Sequence, residues 1–328
     1  MEGYSKFFSK TPILLRWGFL LKIFYYNFIM EVLIQHNVRA GLGDYTNGMF
    51  RYFHLVDKMR ENGFTKIGLH VNMKESTMFD KDFFFRLYNK SLFETLFDEI
   101  VVSDVAITSP DYNGLSFFYV NGENRAGFNQ FDIFINQSSP IFNYFKNNLR
   151  LYFPEEIVPK FINFFSDYVM ERYERMNVHK NEQYKSLHFR AKDGRDNVDL
   201  YIDHEDEFKD IIFNKGKVFI CSNSYKFKEY IKSFNSPNVF MYELPFEQEF
   251  GNHLSGLPFT GEFGKQEYEE RTIDAAVESL TISDSNEVFS FNFFGDVHSN
   301  FLNLAKWKSV DIKIVALKNG LNWTPSMG

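Results

Sequence analysis

Two short apolar segments, each ending in a polar loop, constrain the fold of this chain more than any other feature of its sequence. The first is Glu31–Gln35, followed at residues 40–44 by Ala-Gly-Leu-Gly-Asp, and the second is Ser186–Arg190, which runs into Gly194 about 150 residues later. Helical periodicity follows each loop, and strand-loop-helix units of this kind build parallel sheets. We therefore predict an α/β protein with two facing Rossmann-like domains and mostly parallel sheets.

The remaining chain supports four parts. A helix capped by Asp44 or Thr46 should run to about Glu61, and Lys66–Val71 indicates the next strand. The second half alternates again, with strand signals at 186–190, 217–221, 238–242, 288–291 and 312–316 and helix signals at 205–213, 225–233, 271–282 and 297–307. The predicted parts are an apolar and basic N-terminal segment (1–30), an N-terminal acceptor-side α/β domain (31–160), a crossover (161–182) and a C-terminal donor domain (183–328).

Composition excludes some functions and favours one compartment. The net charge of −7 and a pI near 5.7 argue against a nucleic-acid partner. A single cysteine, Cys221, rules out an intramolecular disulfide and favours a cytoplasmic location. Residues 1–30 are mostly apolar from Thr11 onward, but Arg16 and Lys22 interrupt that stretch before it could span a bilayer. They fit a helix packed on the N-terminal domain, an interfacial helix making peripheral membrane contact, or a segment preceding a functional start at Met30.

Polar side chains lie where the predicted strands of the second half end. Alternation places His188 and Arg190 on the same strand face, and the planar guanidinium of Arg190 can bind a phosphate or pyrophosphate through two parallel hydrogen bonds. Ser222 and Asn223 follow the next strand, where small polar residues can bind a ribose or base. Ligands of open α/β sheets collect beyond the carboxyl ends of the strands, which predicts a nucleotide site here. Alternatively, His188 is a buried strand histidine and Arg190 forms a structural ion pair with Asp193.

The order of these motifs resembles a known family. His188-Phe189-Arg190 is followed by a strand ending in small polar residues, by a helix with an early Asp, and by another strand and polar loop. This order resembles the donor domain of the GDP-fucose-dependent glycosyltransferases: the α1,6-fucosyltransferases, bacterial nodulation fucosyltransferases and protein O-fucosyltransferases. The resemblance covers about residues 31–72 and 183–306. It implies a GT-B enzyme that moves fucose from GDP-fucose to a glycan hydroxyl with inversion. No metal or other cofactor is expected, because an Arg and helix N-termini can stabilise the departing diphosphate.

The resemblance also implies a role for each matching residue. His188 and Arg190 match the pair that grips the donor diphosphate, and Arg190 would neutralise it as the glycosidic bond breaks. Asp274 matches the Asp that binds the guanine or its ribose, and Asp44 is the candidate base for the acceptor hydroxyl. The other implied donor and cleft contacts are Gly41, Gly43, Ser222, Asn223, Ser290 and Asn292.

Two departures from the family pattern leave alternatives open. Ala191 stands where many members have a second Arg, and residues 292–295, Asn-Phe-Phe-Gly, replace a loop rich in Ser and Thr. Only Ser290 and Asn292 remain there as side-chain donors. The chain could therefore use another nucleotide sugar, or it could bind a glycan or nucleotide without catalysis.

Other chemistry has weaker support in the sequence. Asp80 and Asp82 form an Asp-x-Asp pattern that can hold a divalent cation, but a helix start explains them as well, and we predict no metal site. No Gly-x-Ser-x-Gly motif and no P-loop support a hydrolase or an NTPase. Several histidines lack the spacing of zinc ligands: His54, His70, His253 and His298.

Overall fold

A computed structural model describes residues 31–37, 42–73, 81–103, 115–118, 131–136, 164–190, 202–243, 265–292 and 299–317. These residues form two five-stranded sheets with helices between the strands, which confirms the predicted α/β class with mostly parallel sheets. The first sheet draws its strands from residues 32–136 and the second from residues 185–316. The limits of the four predicted parts stay predictions, and residues 1–30 lie outside the described residues.

The first sheet contains β1 (Val32–Asn37), β2 (Ile67–Asn72), β3 (Glu99–Ser103), β4 (Leu115–Phe118) and β5 (Phe131–Asn136). Its order is β3-β2-β1-β5-β4, with β1, β2 and β3 parallel and β4 and β5 antiparallel to their neighbours. All six residues of β1 and of β2 are buried, as in strands covered on both faces. β1 runs past its predicted end at Gln35, because His36 and Asn37 continue the ladder with β2.

The described residues of the first half form three helices: α1 (Leu42–Glu61), α2 (Lys81–Leu87) and α3 (Lys90–Leu96). The predicted caps of α1 are wrong, because the helix already begins at Leu42. Thr46 lies inside it and donates its hydroxyl to the Leu42 carbonyl at 2.7 Å. The helix ends before Gly63, whose φ of +89° is a left-handed conformation that favours glycine after a helix.

The second sheet contains β6 (Lys185–Arg190), β7 (Val218–Ser222), β8 (Val239–Phe240), β9 (Glu287–Asn292) and β10 (Asp311–Ala316). Its order is β10-β9-β6-β7-β8 and every pairing is parallel, so all five carboxyl ends lie at one edge. β6 is the central strand. β8 is much shorter than the predicted strand at 238–242, because only two of its residues pair with β7.

Two helices of the second half begin at the predicted residues, Glu205 and Tyr225, and one begins earlier than predicted. The helix Lys265–Ser283 begins before its predicted start at Arg271, which places Asp274 in its middle. None of the described helices is long and apolar enough to cross a bilayer. The elements are α4 (Asp167–Met176), α5 (Glu205–Asn214), α6 (Tyr225–Lys232), α7 (Lys265–Ser283), a short 3-10 helix (Asn300–Leu302) and α8 (Asn303–Trp307).

One hydrophobic core links the two sheets. It contains Val32 of β1, Met49 of α1, Ile273 of α7 and Val288 of β9, and α1 contacts α7, α8 and the 3-10 helix. A second cluster covers the opposite face of the second sheet and includes Leu187 of β6. Because side chains alternate along a strand, the face of β6 opposite Leu187 is turned toward the core that both sheets share.

Candidate functional site

The carboxyl ends of β6, β7 and β9 lie side by side at one edge of the second sheet. Arg190, the last residue of β6, is the register partner of Asn292, the last residue of β9. Phe189 is paired in the same way with Ser222, the last residue of β7. The parallel register therefore brings three predicted site residues together. Arg190 and the neighbouring Asn223 are partly exposed.

His188 is a buried, neutral residue two positions before Arg190. Its side chain is 3% exposed, its Nδ1 lies 3.2 Å from the hydroxyl of Ser290, and its ring stacks on Phe301. Burial, with a smaller contribution from the Arg190 guanidinium, lowers the pKa of His188 to about 3. A neutral imidazole brings no positive charge to a diphosphate, so Arg190 is the cation of this pair. The interpretation of His188 as a buried strand histidine fits this geometry.

Ser222 stabilises the turn that follows β7. Its hydroxyl donates to the Phe189 carbonyl at 2.8 Å and accepts from the Ser224 backbone N–H at 2.9 Å. Ser224 is the N-cap of α6, and its hydroxyl accepts from the Phe227 backbone N–H at 3.1 Å. Both hydroxyls are buried and bind backbone groups. Asn223 is thus the partly exposed side chain of this turn.

Ser290 and Asn292 lie at the predicted edge but below its surface. Both side chains are 0% exposed, and Ser290 contacts His188. The sequence predicts that both contact the donor. In the structure they are buried next to β6, where they support the end of the strand that carries Arg190. Contact with a donor stays a prediction for both.

Asp274 binds an arginine of another helix. Its side chain is 1% exposed and forms an ion pair with Arg172 of α4, which also pairs with Glu270. Burial raises the pKa of Asp274 to about 6, although Arg172 acts in the opposite direction. The expected contact with guanine assumes that Asp274 lies near a helix start, and the earlier start of α7 removes that reason. Its predicted role is untested, but its observed partner is Arg172.

The glycine loop of the first half is described only in part. Gly41 lies outside the described residues, while Gly43 and Asp44 lie in the first turn of α1. The side chain of Asp44 is outside the described residues. Its backbone position is at a helix N-terminus, where unpaired N–H groups and the helix dipole favour negative charge.

Sequence reasoning missed two buried polar groups. The ammonium of Lys228 on α6 lies 2.9 Å from the carboxylate of Glu278 on α7, and both side chains are almost fully buried. In the first sheet, His70 lies between Gln35 and Ser103, at 3.1 Å and 2.8 Å. The four-residue spacing of acidic residues in α7 could have indicated the first group, whereas the second depends on strand register.

The proposed Asp-x-Asp metal pattern lies at the start of α2. Asp82 is exposed in the first turn of that helix, and Asp80 lies outside the described residues. Among the residues that the structure describes, no three His, Cys, Asp or Glu side chains are grouped as metal ligands. The position of Asp82 agrees with the helix-start explanation.

Comparisons with known proteins found similarity only at the level of structure. No family model matches the sequence, and no curated protein matches it. The chain is similar to the crystal structure of fucosyltransferase NodZ from Bradyrhizobium, with a TM-score of 0.48 and 13% identity over 88% of this chain and 96% of that one. A NodZ α-1,6-fucosyltransferase soaked with GDP-fucose gives a TM-score of 0.47 and 13% identity over 87% and 94% of the two chains.

A NodZ α-1,6-fucosyltransferase co-crystallised with GDP gives a TM-score of 0.46 and 13% identity, covering 84% of this chain and 92% of that chain. These proteins are of the class that the sequence motifs resemble. Because the structural similarity is this low, the functional proposal rests on the residues of this chain.

Proposed function

We propose that this chain is a glycosyltransferase that binds a nucleoside-diphosphate sugar at the carboxyl edge of the second sheet. It transfers the sugar to a glycan hydroxyl, with inversion and without a metal. The observation that supports this proposal best is the position of Arg190, a partly exposed arginine at the end of the central strand β6. The motif His188-Phe189-Arg190 resembles that of enzymes that use GDP-fucose, which is therefore the proposed donor.

Arg190 supplies the charge that the reaction needs. Negative charge develops on the diphosphate as the glycosidic bond breaks, and a fixed donor at that place stabilises the transition state more than the ground state. The strand end is held by the hydrogen bond from Ser222 to the Phe189 carbonyl, directly before Arg190. The neutral ring of His188 supports the same strand from below. Arg190 is thus carried on a rigid backbone, as preorganised stabilisation requires.

The acceptor side is proposed to lie at the first turn of α1. This helix follows β1 at the carboxyl edge of the first sheet, and it contacts the 3-10 helix that follows β9. α1 therefore packs against an element of the second half of the chain. Asp44 in the first turn is the candidate base, because a carboxylate there can accept the proton of an attacking hydroxyl.

Ligand-induced stabilisation tests the donor. A ligand that binds only the folded state stabilises it by about 2.7 kcal/mol at 100 times its Kd. GDP should therefore raise the Tm clearly, and UDP should raise it much less. Incubation with GDP-fucose in EDTA should release GDP and free fucose slowly by hydrolysis. With a suitable glycan, GDP should be released faster and the fucose should be bonded to the glycan. Equal shifts with both nucleotides, or none at millimolar concentration, would argue against a GDP-sugar donor.

A binding protein without catalysis is the second candidate. It is favoured by the full burial of Ser290 and Asn292, which leaves fewer exposed donors for phosphate oxygens. In that case GDP would raise the Tm, but no nucleotide sugar in a panel would be hydrolysed or transferred. A different nucleotide sugar that is turned over would retain the enzyme class and change only the donor.

A further inference from the structure

A row of polar side chains crosses one face of the first sheet. Gln35 of β1 is the register partner of His70 of β2, and Asn72, two residues further along β2, is the register partner of Ser103, the last residue of β3. Residues two apart on a strand share a face, so these side chains lie on the same side of the sheet. The opposite face of the sheet carries Ile34 and Leu69, which belong to the hydrophobic core.

Three of these residues form a hydrogen-bonded chain. The Gln35 side-chain oxygen lies 3.1 Å from Nδ1 of His70, and Nε2 of His70 lies 2.8 Å from the hydroxyl of Ser103. An amide oxygen can only accept, so Nδ1 carries the proton and Nε2 accepts from the serine. His70 is 1% exposed, and burial lowers its pKa to about 4. Its ring is therefore neutral near pH 7, which leaves Nε2 without a proton.

This is the arrangement of an activated nucleophile. A hydroxyl within hydrogen-bond reach of a base, with the base oriented by a third group, is the geometry that makes serine reactive. Ser103 is partly exposed, and it ends a parallel strand at the edge of the sheet where ligands collect. It lies at a strand end and not on a Gly-x-Ser-x-Gly elbow, so sequence motifs gave no sign of it.

We propose that Ser103 is a nucleophile toward carboxylic esters, with His70 as its general base and Gln35 as the positioning residue. Ser103 Oγ bonds to the acyl carbon while its proton passes to His70 Nε2. The ester C–O bond then breaks, and the departing alkoxide takes that proton and leaves as an alcohol. Water next attacks the acyl-serine, giving its proton to His70, and His70 returns it to Ser103 as the acid leaves.

The chain contains an internal comparison for this pair. His188 and Ser290 also lie within hydrogen-bond distance, at 3.2 Å, but both side chains are almost completely buried. A reagent that needs an accessible hydroxyl should therefore reach Ser103 and not Ser290. Comparing the labelling of the two serines therefore shows whether a neighbouring histidine is sufficient for reactivity or whether the hydroxyl must also be accessible to the reagent.

A fluorophosphonate probe tests the proposal on the intact chain. It reacts by forming an Oγ–P bond and releasing fluoride, and the adduct can be mapped by mass spectrometry. We expect one adduct, on Ser103, that is absent from Ser103→Ala. Glutamine cannot accept the proton, so the labelling rate of His70→Gln should be lower by at least about 100-fold, the usual contribution of a general base. 4-Nitrophenyl acetate should be hydrolysed with the same dependence on both residues.

The pH profile distinguishes catalysis from a structural role. With neutral His70 as base, the labelling rate should be flat between about pH 6 and pH 8, whereas an unassisted hydroxyl reacts about tenfold faster per pH unit. In Gln35→Glu, a carboxylate beside the ring raises the pKa of His70, so the acidic limb should move to higher pH. No adduct on folded protein, equal labelling of the His70 variant, or a steadily rising profile would overturn the proposal. None of these readouts depends on nucleotide binding, so the proposed transferase function stands or falls separately.

Discussion

At the scale of single residues, Arg190 and His188 have different roles at the end of β6. Arg190 is partly exposed, whereas His188, two positions earlier, is buried against Phe301. A protonated ring there would lose its hydration and would lie near the guanidinium, and both effects lower the pKa of His188. The imidazole therefore orients the strand while the guanidinium carries the charge.

Arg190→Lys tests the role of the Arg190 guanidinium. Lysine keeps the positive charge but loses the planar fork that makes two parallel hydrogen bonds. Transfer should fall by about 100-fold to 1,000-fold, the usual loss for one transition-state donor. The Tm should change little, since Arg190 is partly exposed. Arg60→Lys is the matched control, because Arg60 pairs with Asp98 at 2.7 Å in the first half of the chain. Equal turnover in both variants would remove Arg190 from the mechanism.

Asp44→Asn separates a base from a residue that only stabilises α1. Asparagine has nearly the same shape but cannot accept a proton, so transfer should collapse while the stabilisation by GDP persists. The stability cost should be small, because a carboxylate in the first turn of a helix contributes about 0.3–1 kcal/mol through the dipole. Transfer assays and thermal melts with and without GDP give both quantities. Transfer at a comparable rate would mean that the base lies elsewhere.

At the scale of elements, α7 is fixed by a row of carboxylates. Glu270, Asp274 and Glu278 are spaced four residues apart, which places them on one helix face, where like charges repel. Arg172 of α4 pairs with the first two, and Lys228 of α6 pairs with the third. Each of these three carboxylates thus has a cation from a neighbouring helix. These pairs fix the position of α7 against α4 and α6.

Removing one partner of the Lys228–Glu278 pair should destabilise the fold strongly, whereas replacing both partners with apolar residues should destabilise it little. Lys228→Met leaves the Glu278 carboxylate buried without its cation, which should lower the free energy of unfolding by about 3–5 kcal/mol. Adding Glu278→Leu should restore most of that loss, since two apolar groups of similar volume can replace a buried pair. Urea unfolding of both variants measures this. Lys58→Met, in an exposed pair with Glu61, should cost less than about 1 kcal/mol. A double variant as unstable as the single one would contradict the explanation.

The strand β6 was predicted closely, whereas the start of α7 was not. The predicted strand Ser186–Arg190 differs from β6 by one residue, because an apolar run between polar segments leaves little choice. The start of α7 was placed too late, at Arg271 instead of Lys265. The missed turns contain Glu269 and Glu270, which look like surface residues in a sequence but pair with Arg86 of α2. Contacts between helices decided that boundary, and a single sequence does not show them.

The composition of the site was predicted only in part for a related reason. Parallel strands align their carboxyl ends, so Arg190, Asn292 and Ser222 could be placed together from sequence alone. Burial could not be predicted in the same way. Ser222 donates to the Phe189 carbonyl of the adjacent strand, and Asp274 forms an ion pair with Arg172. Neither partner is close in sequence. A polar residue that another part of the chain satisfies looks the same in a sequence as one that awaits a ligand.

At the scale of the whole molecule, buried neutral histidines should make the fold sensitive to acid. His36, His70 and His188 are each at most 3% exposed, and burial lowers their pKa values to about 3, 4 and 3. In the unfolded chain each would bind a proton below a pKa of about 6.5. The unfolded state then binds more protons than the folded state, so the stability present above that pH is lost as the pH falls toward the folded pKa values. Asp274 acts oppositely, because its raised pKa lets the folded state bind the additional proton.

The magnitudes show which effect dominates. Between about pH 7 and pH 5, each histidine should lower the free energy of unfolding by about 2 kcal/mol, while protonation of Asp274 returns about 1 kcal/mol. The net loss of about 5 kcal/mol is comparable with the entire stability of many folded proteins, about 5–15 kcal/mol. Urea unfolding at the two pH values should therefore give a much lower midpoint at pH 5. Equal midpoints would contradict the burial of these rings.

His36→Asn assigns a share of this acid sensitivity to one residue. Nδ1 of His36 lies 2.9 Å from the Tyr52 hydroxyl, and asparagine can keep that hydrogen bond without titrating. The variant should be less stable at pH 7, because it loses ring packing against Tyr52 and Phe84. Its loss of stability between about pH 7 and pH 5 should nevertheless be smaller than that of the unmodified chain by about 2 kcal/mol. Tyr52→Phe is the control, since it removes the same hydrogen bond but no group that titrates in this range. It should lower stability equally at both pH values, and an unchanged pH dependence in His36→Asn would mean that this histidine is protonated in the folded state.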